Sequence, residues 1–324
     1  ARATGPNWQG LFVGSEGTLG VITAATMKVK RAPAYRAFSS FLFADLVSGW
    51  DTFRELLQAG LRPAAMRLYD EVDTYLAGSS GGGEAKAGEV AEGYGDVFGA
   101  FYEVLRGSGF QRTLRGLVGG ALGFSGLLNR ALGMVPKQCK CIMVFEGEED
   151  RCLLEQELVT EIALRHGAED TGEGPARKWL SRRYAVSYRQ STVFDNFAFA
   201  DTMEVAASWS KLPRLYLKVR QALARHGLVM AHFSHAYPEG CSIYFTFVGA
   251  GSNRQVSQAR YRNCWRDALA AAHEAGGTIT HHHGVGLLKA GYMADEHGAA
   301  MEILRAARAH LDPQGIMNPG KLGI

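Results

Sequence analysis

Residues 227–249, "GLVMAHFSHAYPEGCSIYFTFVG", decide the fold. "GLVMAHFSHAY" and "CSIYFTFVG" are rich in apolar, aromatic and β-branched residues, and Pro238-Glu239-Gly240 is a turn between them. The stretch therefore reads as two strands folded back on each other, a hairpin-like pair. Units of the same kind surround it. Upstream, Phe38 to Phe43 is an apolar strand, and "LVSGWDTFRELLQAGL" (46–61) sets Trp50, Phe53, Leu56 and Leu57 at helical spacing. "AAMRLYD" (64–70) is a short strand carrying Arg67. The order recurs with strand "KCIMVFEGE" (140–148) and helix "LLEQELVTEIALRHG" (153–167). A helix from about Lys211 to Gly227 ends "ARHG", with cations and glycine where a C-terminus favours them. A further helix covers 254–277, and a last one runs from about Glu296 to His310. Repeated strand and helix units predict an α+β fold, an antiparallel sheet covered by helices.

The bulk numbers agree with a folded chain. With 324 residues, 47% hydrophobic and 21% charged, it can bury a core and is not disordered. A net charge of +3 and the lack of a long basic run give no footing for nucleic acid. Five cysteines, an odd count without zinc-type pairing, fit a reducing compartment, and Cys139-Lys140-Cys141 reads as core or strand edge. No apolar run approaches the roughly 20 residues that span a bilayer. A cytoplasmic or membrane-peripheral setting is expected.

Two regions differ in character. Residues 1–33 are read as short strands and turns, with strands at Val21-Ile22-Thr23 and Thr26-Met27-Lys28-Val29 closed by Arg31-Ala32-Pro33. Residues 78–137 begin with the low-complexity "GSSGGGEAKAGEVAEGYG" and continue apolar and glycine-rich. Between Phe98 and Lys140 the basic residues are Arg106, Arg112, Arg115, Arg130, Lys137 and Lys140, against Glu103 alone. Such a segment suits either an anionic membrane surface or a lid on its own domain.

"GTITHHHGVGLLK" (277–289) is the other singular stretch. Thr278-Ile279-Thr280 reads as a strand, so His281 and His283 should face one way and His282 the other. Gly284 and Gly286 suit close approach of a ligand or another backbone. Read alone, the triplet is equally three surface histidines.

"GSEGTLGVIT" (14–23), "AHFSHAYPEGCSIYFTF" (231–247) and "HHHGVG" (281–286), in this order, resemble flavoproteins of the vanillyl-alcohol-oxidase fold. Within it they resemble the alkylglycerone-phosphate synthases. The resemblance covers nearly the whole chain apart from 78–137. It implies FAD as cofactor, with residues 1–33 the end of a PCMH-type FAD-binding domain, 34–275 a substrate (cap) domain, and 276–324 closing over the flavin. It also implies that the chain is a C-terminal fragment whose upstream FAD lobe is missing. Glu16, Gly17, Thr18, Leu19, Gly20, Val21 and Ile22 match the flavin-contacting strand and loop, where Gly17 and Gly20 would let amides approach the cofactor. Arg67 matches an arginine needed for activity. Arg189 in "SYRQS" matches the one that binds the anionic part of the substrate, a task suited to a planar guanidinium. Tyr244 matches the proton donor and acceptor.

Without the resemblance, Tyr244 is a strand aromatic of the core and either arginine an ion-pair partner. A tyrosine base needs cationic neighbours to lower its pKa from about 10, and His281, His282, His283 and an arginine are the expected ones. No metal site is expected. The implied reaction exchanges the acyl group of acyl-dihydroxyacetone phosphate for a fatty alcohol through a flavin N5 adduct, in ether-lipid biosynthesis. Implied partners are lipid-like substrates and, as open assemblies, a peripheral membrane contact and a homodimer.

FAD-dependent D-2-hydroxyacid dehydrogenases share the fold, and "LDPQGIMNPGKLG" (311–323) is closer to their ending. They usually carry "GHxGDGNxH" and "EHG" where this chain has "AHFSHAYPEGCSIY" and "HHHG". His232 and His235 are left as metal-ligand candidates without the carboxylate and partner histidine such a site needs.

Overall fold

The computed structural model describes residues 4–78, 137–184 and 197–324. Two compact units emerge, one of residues 32–277 and one joining 1–31 with 278–324.

The larger unit is a seven-stranded sheet. In chain order its elements are β1 (Tyr35–Phe43), α2 (Leu46–Gln58), β2 (Ala65–Tyr69), α3 (Glu71–Gly78), β3 (Cys139–Gly147), α4 (Glu149–Arg165) and β4 (Glu169–Asp170). They continue with α5 (Gly174–Arg182), β5 (Ala198–Ser208), α6 (Leu212–Ala224), β6 (Leu228–Phe233), β7 (Gly240–Ala250) and α7 (Arg254–Glu274). α1 (Trp8–Phe12) precedes them, in the smaller unit. The strand order is β4-β1-β3-β2-β6-β7-β5, and every pairing is antiparallel. The α+β reading of the sequence holds.

Period-two alternation sorts the sheet into two faces. Phe233 of β6 meets Trp50 of α2 at 5.2 Å between ring centroids, and Phe245 of β7 stacks on Tyr216 of α6 at 6.0 Å. Phe247 meets Trp265 of α7 at 6.1 Å. This is the face covered by α2, α6 and α7, and Phe41, Phe43, Phe53, Phe233, Phe245 and Phe247 are fully buried in the unit. Each such side chain contributes about 1.5–3 kcal/mol of burial free energy. α2 presents its apolar stripe there because Asp45 caps it, accepting from Ser48 N at 2.9 Å. The opposite face holds Phe38, Tyr69, Ile142 and Val144 under Ala176, Trp179 and Leu180 of α5.

β6 and β7 form the pair that the opening stretch predicts, joined by a turn in which Tyr237 N donates to Gly240 O at 2.8 Å. Sequence reading missed β5, although it pairs with β7 along eleven residues, Ala198↔Ala250 to Ser208↔Gly240. Its "FADTMEVAA" alternates weakly because both its faces carry small or polar side chains as well as apolar ones. α4 begins at Glu149, four residues before the expected start.

The smaller unit overturns three expectations. Residues 21–30 form no strand, and Val21, Ile22, Met27 and Val29 are 62–84% exposed. A strand exists only against a partner ladder, and β-branched composition alone supplies none. Thr278–Thr280 likewise makes only an isolated bridge at Thr278, followed by bends through the histidines. The last helix is two, Met293–His297 (α8) and Ala300–Leu311 (α9), broken at Gly298 with φ 54°. Met293, Met301 and Leu322, with Val285, Leu304 and Ile324, make this unit's own small core.

All five cysteines are free and buried. Among the described residues no helix is long and apolar enough to cross a membrane.

Gly240 faces Ser208 across β7 and β5, and a Cβ there would lie 2.1 Å from the Ala207 carbonyl oxygen. Because the obstacle is backbone, Gly240→Ala should destabilise the chain by about 1–3 kcal/mol. The measurement is the urea midpoint, and an unchanged midpoint would show that the β5–β7 edge can slide apart.

Candidate active site

Register builds the site. Tyr69 of β2 pairs with His232 of β6, His232 pairs with Tyr244 of β7, and Tyr244 pairs with Glu204 of β5. Cross-strand partners share a face, so four residues from four strands stand in one row. Lys140 of β3 extends it, its Nζ 5.4 Å from the centre of the Tyr69 ring. The His232 and Tyr244 rings stack at 4.7 Å and 19°.

Arg67 lies two residues before Tyr69 and therefore on the same face. Its guanidinium carbon is 5.5 Å from the Tyr69 ring centre and 5.6 Å from that of Trp179. Nη2 of Arg67 donates to Nε2 of His232 at 2.5 Å. On the far side of the imidazole, Nδ1 is 3.6 Å from Oδ2 of Asp73 in α3. His232 and Asp73 are 4% and 2% exposed. Among the described residues, Nε of Arg67 and Oδ1 of Asp73 are buried without a hydrogen-bond partner. An orphaned guanidinium N–H in a polar pocket costs free energy until a ligand or water accepts from it.

Burial governs the electrostatics. It pushes the Asp73 carboxyl up to about 6 against the pull of Arg67 and Lys140. His232 is held well below its ordinary value by burial first, then by Arg67 and His235. The expectation for Tyr244 was a lowered pKa. Its pKa is instead raised, because desolvation of the half-buried phenol outweighs the lowering by a hydrogen bond from Thr202 and by the charge of Arg67. The expected arginine acts in the expected direction and is outmatched. Thr202 was not singled out from the sequence, and only knowledge of β5 could have found it.

Beside the row sits a second carboxylate. Asp70, fully buried, accepts from Asp73 N at 2.8 Å and from Tyr216 Oη at 3.1 Å, with Arg220 Nε 3.8 Å away. Burial raises its pKa to about 7 despite Arg220.

The smaller unit places the other candidates. Its "GSEGTLG" loop passes through positive φ at Gly14, Glu16, Gly17 and Gly20, a conformation only glycine enters freely. Thr18 Oγ1 donates to Ser15 O at 2.7 Å. The Glu16 carboxylate accepts from the amides of Val285 and Gly286, the latter at 2.9 Å, and its carbonyl accepts from Asn318 Nδ2. A Cβ on Gly284 would lie 2.8 Å from Glu16 Oε1, so the loop after the histidines closes tightly on this carboxylate. Glu16 thus binds the histidine loop with its side chain. Buried Lys289 donates to Gly284 O at 3.0 Å, and Asp312 accepts from Ile316 N and Met317 N at 3.0 and 2.8 Å.

The predicted alternation of the histidines does not occur. Bends replace the strand, so His281 Nδ1 lies 3.1 Å from His282 Nδ1, and the rings of His282 and His283 are 4.6 Å apart. His281 is half-buried, and His282 and His283 are exposed. Arg189 and nearly all of 78–137 lie outside the described residues. His232, considered as a metal ligand, has its Nε2 occupied by Arg67.

The family model for FAD linked oxidases, C-terminal domain, matches residues 32–322. The chain belongs to that family. FAD is its cofactor. The alkyldihydroxyacetonephosphate synthase of Trypanosoma brucei brucei is 24% identical over 330 residues, covering 99% of this chain and 49% of the relative. The probable mitochondrial D-lactate dehydrogenase of Danio rerio is 24% identical over 328 residues, covering 99% of this chain and 54% of the relative. A solved structure of an alkyldihydroxyacetonephosphate synthase matches with a TM-score of 0.65 at 22% identity, over 99% of this chain and 50% of that one. The fold is therefore that of this group, and the chain spans about half the length of the curated relatives it matches.

The two buried carboxyls predict a sign for stability against pH. Folded pKa values of about 7 and about 6 exceed the unfolded value of 3.8, so the native state holds protons that the unfolded state releases. Their contribution is full below about pH 4 and is lost as pH rises through about 6 to 7. Asp70→Asn should flatten the fall of urea-measured stability between those limits. A variant curve parallel to that of the parent protein would show that Asp70 titrates normally.

Proposed function

We propose that this chain is the substrate-binding half of an FAD-dependent alkylglycerone-phosphate synthase-like enzyme, exchanging the acyl group of acyl-dihydroxyacetone phosphate for a fatty alcohol. The observation that carries the reading is Arg67. Its guanidinium, with a buried Nε lacking a partner among the described residues, is held by His232, whose ring stacks on Tyr244, so a fixed cation acts on the phenol. An anionic phosphate ester would satisfy the guanidinium, which pairs with such groups through its planar fork.

The cofactor's expected contacts fit the residues present. The positive-φ glycines leave the 14–20 loop with bare backbone, and among the described residues no atom beyond Gly20's chain neighbours lies within 4 Å of where its Cβ would stand. Exposed Val21 and Ile22 offer apolar surface beside it. Residues 16–22 would hold FAD, which when bound supplies an electrophilic ring. The protein's own residues do the rest. Arg67 holds the phosphate ester, together with Arg189 in the same assignment. Tyr244 accepts the proton from C1 of the acyl substrate and returns it after fatty acid has left and fatty alcohol has added. Thr202 and Arg67 favour the phenolate that this requires, against the burial that opposes it. The imidazoles of His281, His282 and His283 serve proton transfer on the flavin side. Apolar substrates of this kind suit a membrane-peripheral enzyme of a reducing compartment.

A second reading, oxidation of a D-2-hydroxy acid, is favoured by the relative named as a probable D-lactate dehydrogenase. One experiment separates the two. With FAD-loaded protein under anaerobic conditions, acyl-dihydroxyacetone phosphate should bleach the flavin absorbance, and fatty alcohol should restore it. Bleaching by a D-2-hydroxy acid that persists until an electron acceptor is added would overturn the synthase reading.

A further inference from the structure

We infer that Asp73 and His232 are a positioning pair that aims the Arg67 guanidinium at the anionic group of the substrate and seats the Tyr244 ring beside it. The inference rests on the reading of Arg67 as an anion-binding residue and extends it to Asp73, which no sequence motif assigns, and to His232, which the sequence offered only as a metal-ligand candidate.

Donors and acceptors fix the direction of the contacts. A guanidinium has no acceptor and does not lose its proton, so in the 2.5 Å contact Arg67 Nη2 donates and His232 Nε2 accepts. His232 must then be neutral, with its proton on Nδ1. That is the side on which Asp73 Oδ2 stands, 3.6 Å away, where a carboxylate favours the Nδ1–H tautomer. The chain of groups therefore has one direction: carboxylate, imidazole N–H, imidazole lone pair, guanidinium N–H. A buried carboxylate that orients a histidine and fixes its tautomer is a recurring device for setting what the other ring nitrogen does.

Burial makes the pair stiff. His232 and Asp73 are 4% and 2% exposed, and neither has solvent to exchange partners with. Strand β6 carries His232 and helix α3 carries Asp73, so both are anchored on regular elements. The ring's flat face is used as well. It stacks on Tyr244 at 4.7 Å and 19° while its edge holds Arg67, so one imidazole fixes the two groups assigned to binding and proton transfer. Among the described residues the guanidinium also meets the ring faces of Tyr69 and Trp179, at 5.5 and 5.6 Å, which attract a cation but do not set the rotation of its fork. His232 sets that rotation. Among the described residues nothing accepts from the fork's Nε–H, which is left for an incoming anion.

The test is nitrogen-15 NMR of the chain with sn-glycerol 3-phosphate as the probe anion, comparing His232→Leu, His232→Gln and Asp73→Asn. In the parent protein His232 should show a protonated Nδ1 and an unprotonated Nε2, and the Arg67 Nη protons should be resolved by slow rotation. His232→Leu should collapse those resonances and weaken the probe about tenfold or more. His232→Gln, whose side-chain oxygen can accept from Arg67 as Nε2 does, should recover most of both. Asp73→Asn should release the tautomer preference, and it keeps the test decisive if the leucine variant does not fold. A parent His232 protonated on Nε2, or glutamine no better than leucine, would overturn the inference. The tautomer and the Arg67 resonances need no substrate. If the anion bound proves to be a carboxylate and the synthase reading fails, they still decide whether His232 positions Arg67.

Discussion

The pairing of β2 with β6 is the constraint on which the rest of this structure depends. β1, β3, β4 and β2 form one side of the sheet and β6, β7 and β5 the other, and the ladder joining them is Leu68↔Phe233 and Tyr69↔His232. A slip of one residue would turn His232 toward the face covered by α2, α6 and α7 and Phe233 away from it. Phe233 is held there by Trp50 at 5.2 Å and Tyr216 at 5.9 Å. The aromatic core on one face therefore fixes the polar row on the other. Packing and site are two sides of the same register.

That arrangement places charge where it is expensive. Asp70, Asp73 and His232 are buried, and burial raises both carboxyls and depresses the imidazole. The cost is met by pairing: Asp70 with Tyr216 and Arg220, and Asp73 and His232 with each other and with Arg67. Among the described residues, two of the four buried side-chain atoms without a hydrogen-bond partner, Arg67 Nε and Asp73 Oδ1, lie within this cluster. Sites that bind and transform a ligand are where such unsatisfied groups accumulate.

Much of this was legible in the sequence, and the failures have physical causes. The strands around Phe41, Arg67, Ile142, Met230 and Phe245 announce themselves by apolar or aromatic runs, and α2 by the spacing of Trp50, Phe53, Leu56 and Leu57. β5 does not, since Asp201, Thr202 and Glu204 break its apolar pattern, and these polar residues are the ones that face Tyr244 and α7. Val21–Val29 and Thr278–Thr280 have strand composition but form no ladder among the described residues, so local propensity misleads. Motif resemblance picked out Arg67 and Tyr244, offered His232 only as a metal ligand, and did not reach Asp73. The roles of His232 and Asp73 arise from a contact between α3 and β6 more than 150 residues apart, which no local pattern encodes.

In the function proposed above, Arg67, held by His232, binds an anionic ester and Tyr244 removes a proton beside it. Solvent exchange tests this most directly: FAD-loaded protein incubated with acyl-dihydroxyacetone phosphate in deuterium oxide, without fatty alcohol, followed by proton NMR at C1 of recovered substrate. Deuterium is expected at C1 with the parent protein and none with Tyr244→Phe. Equal exchange by both proteins would contradict that function, because the proton would then leave to a group other than Tyr244.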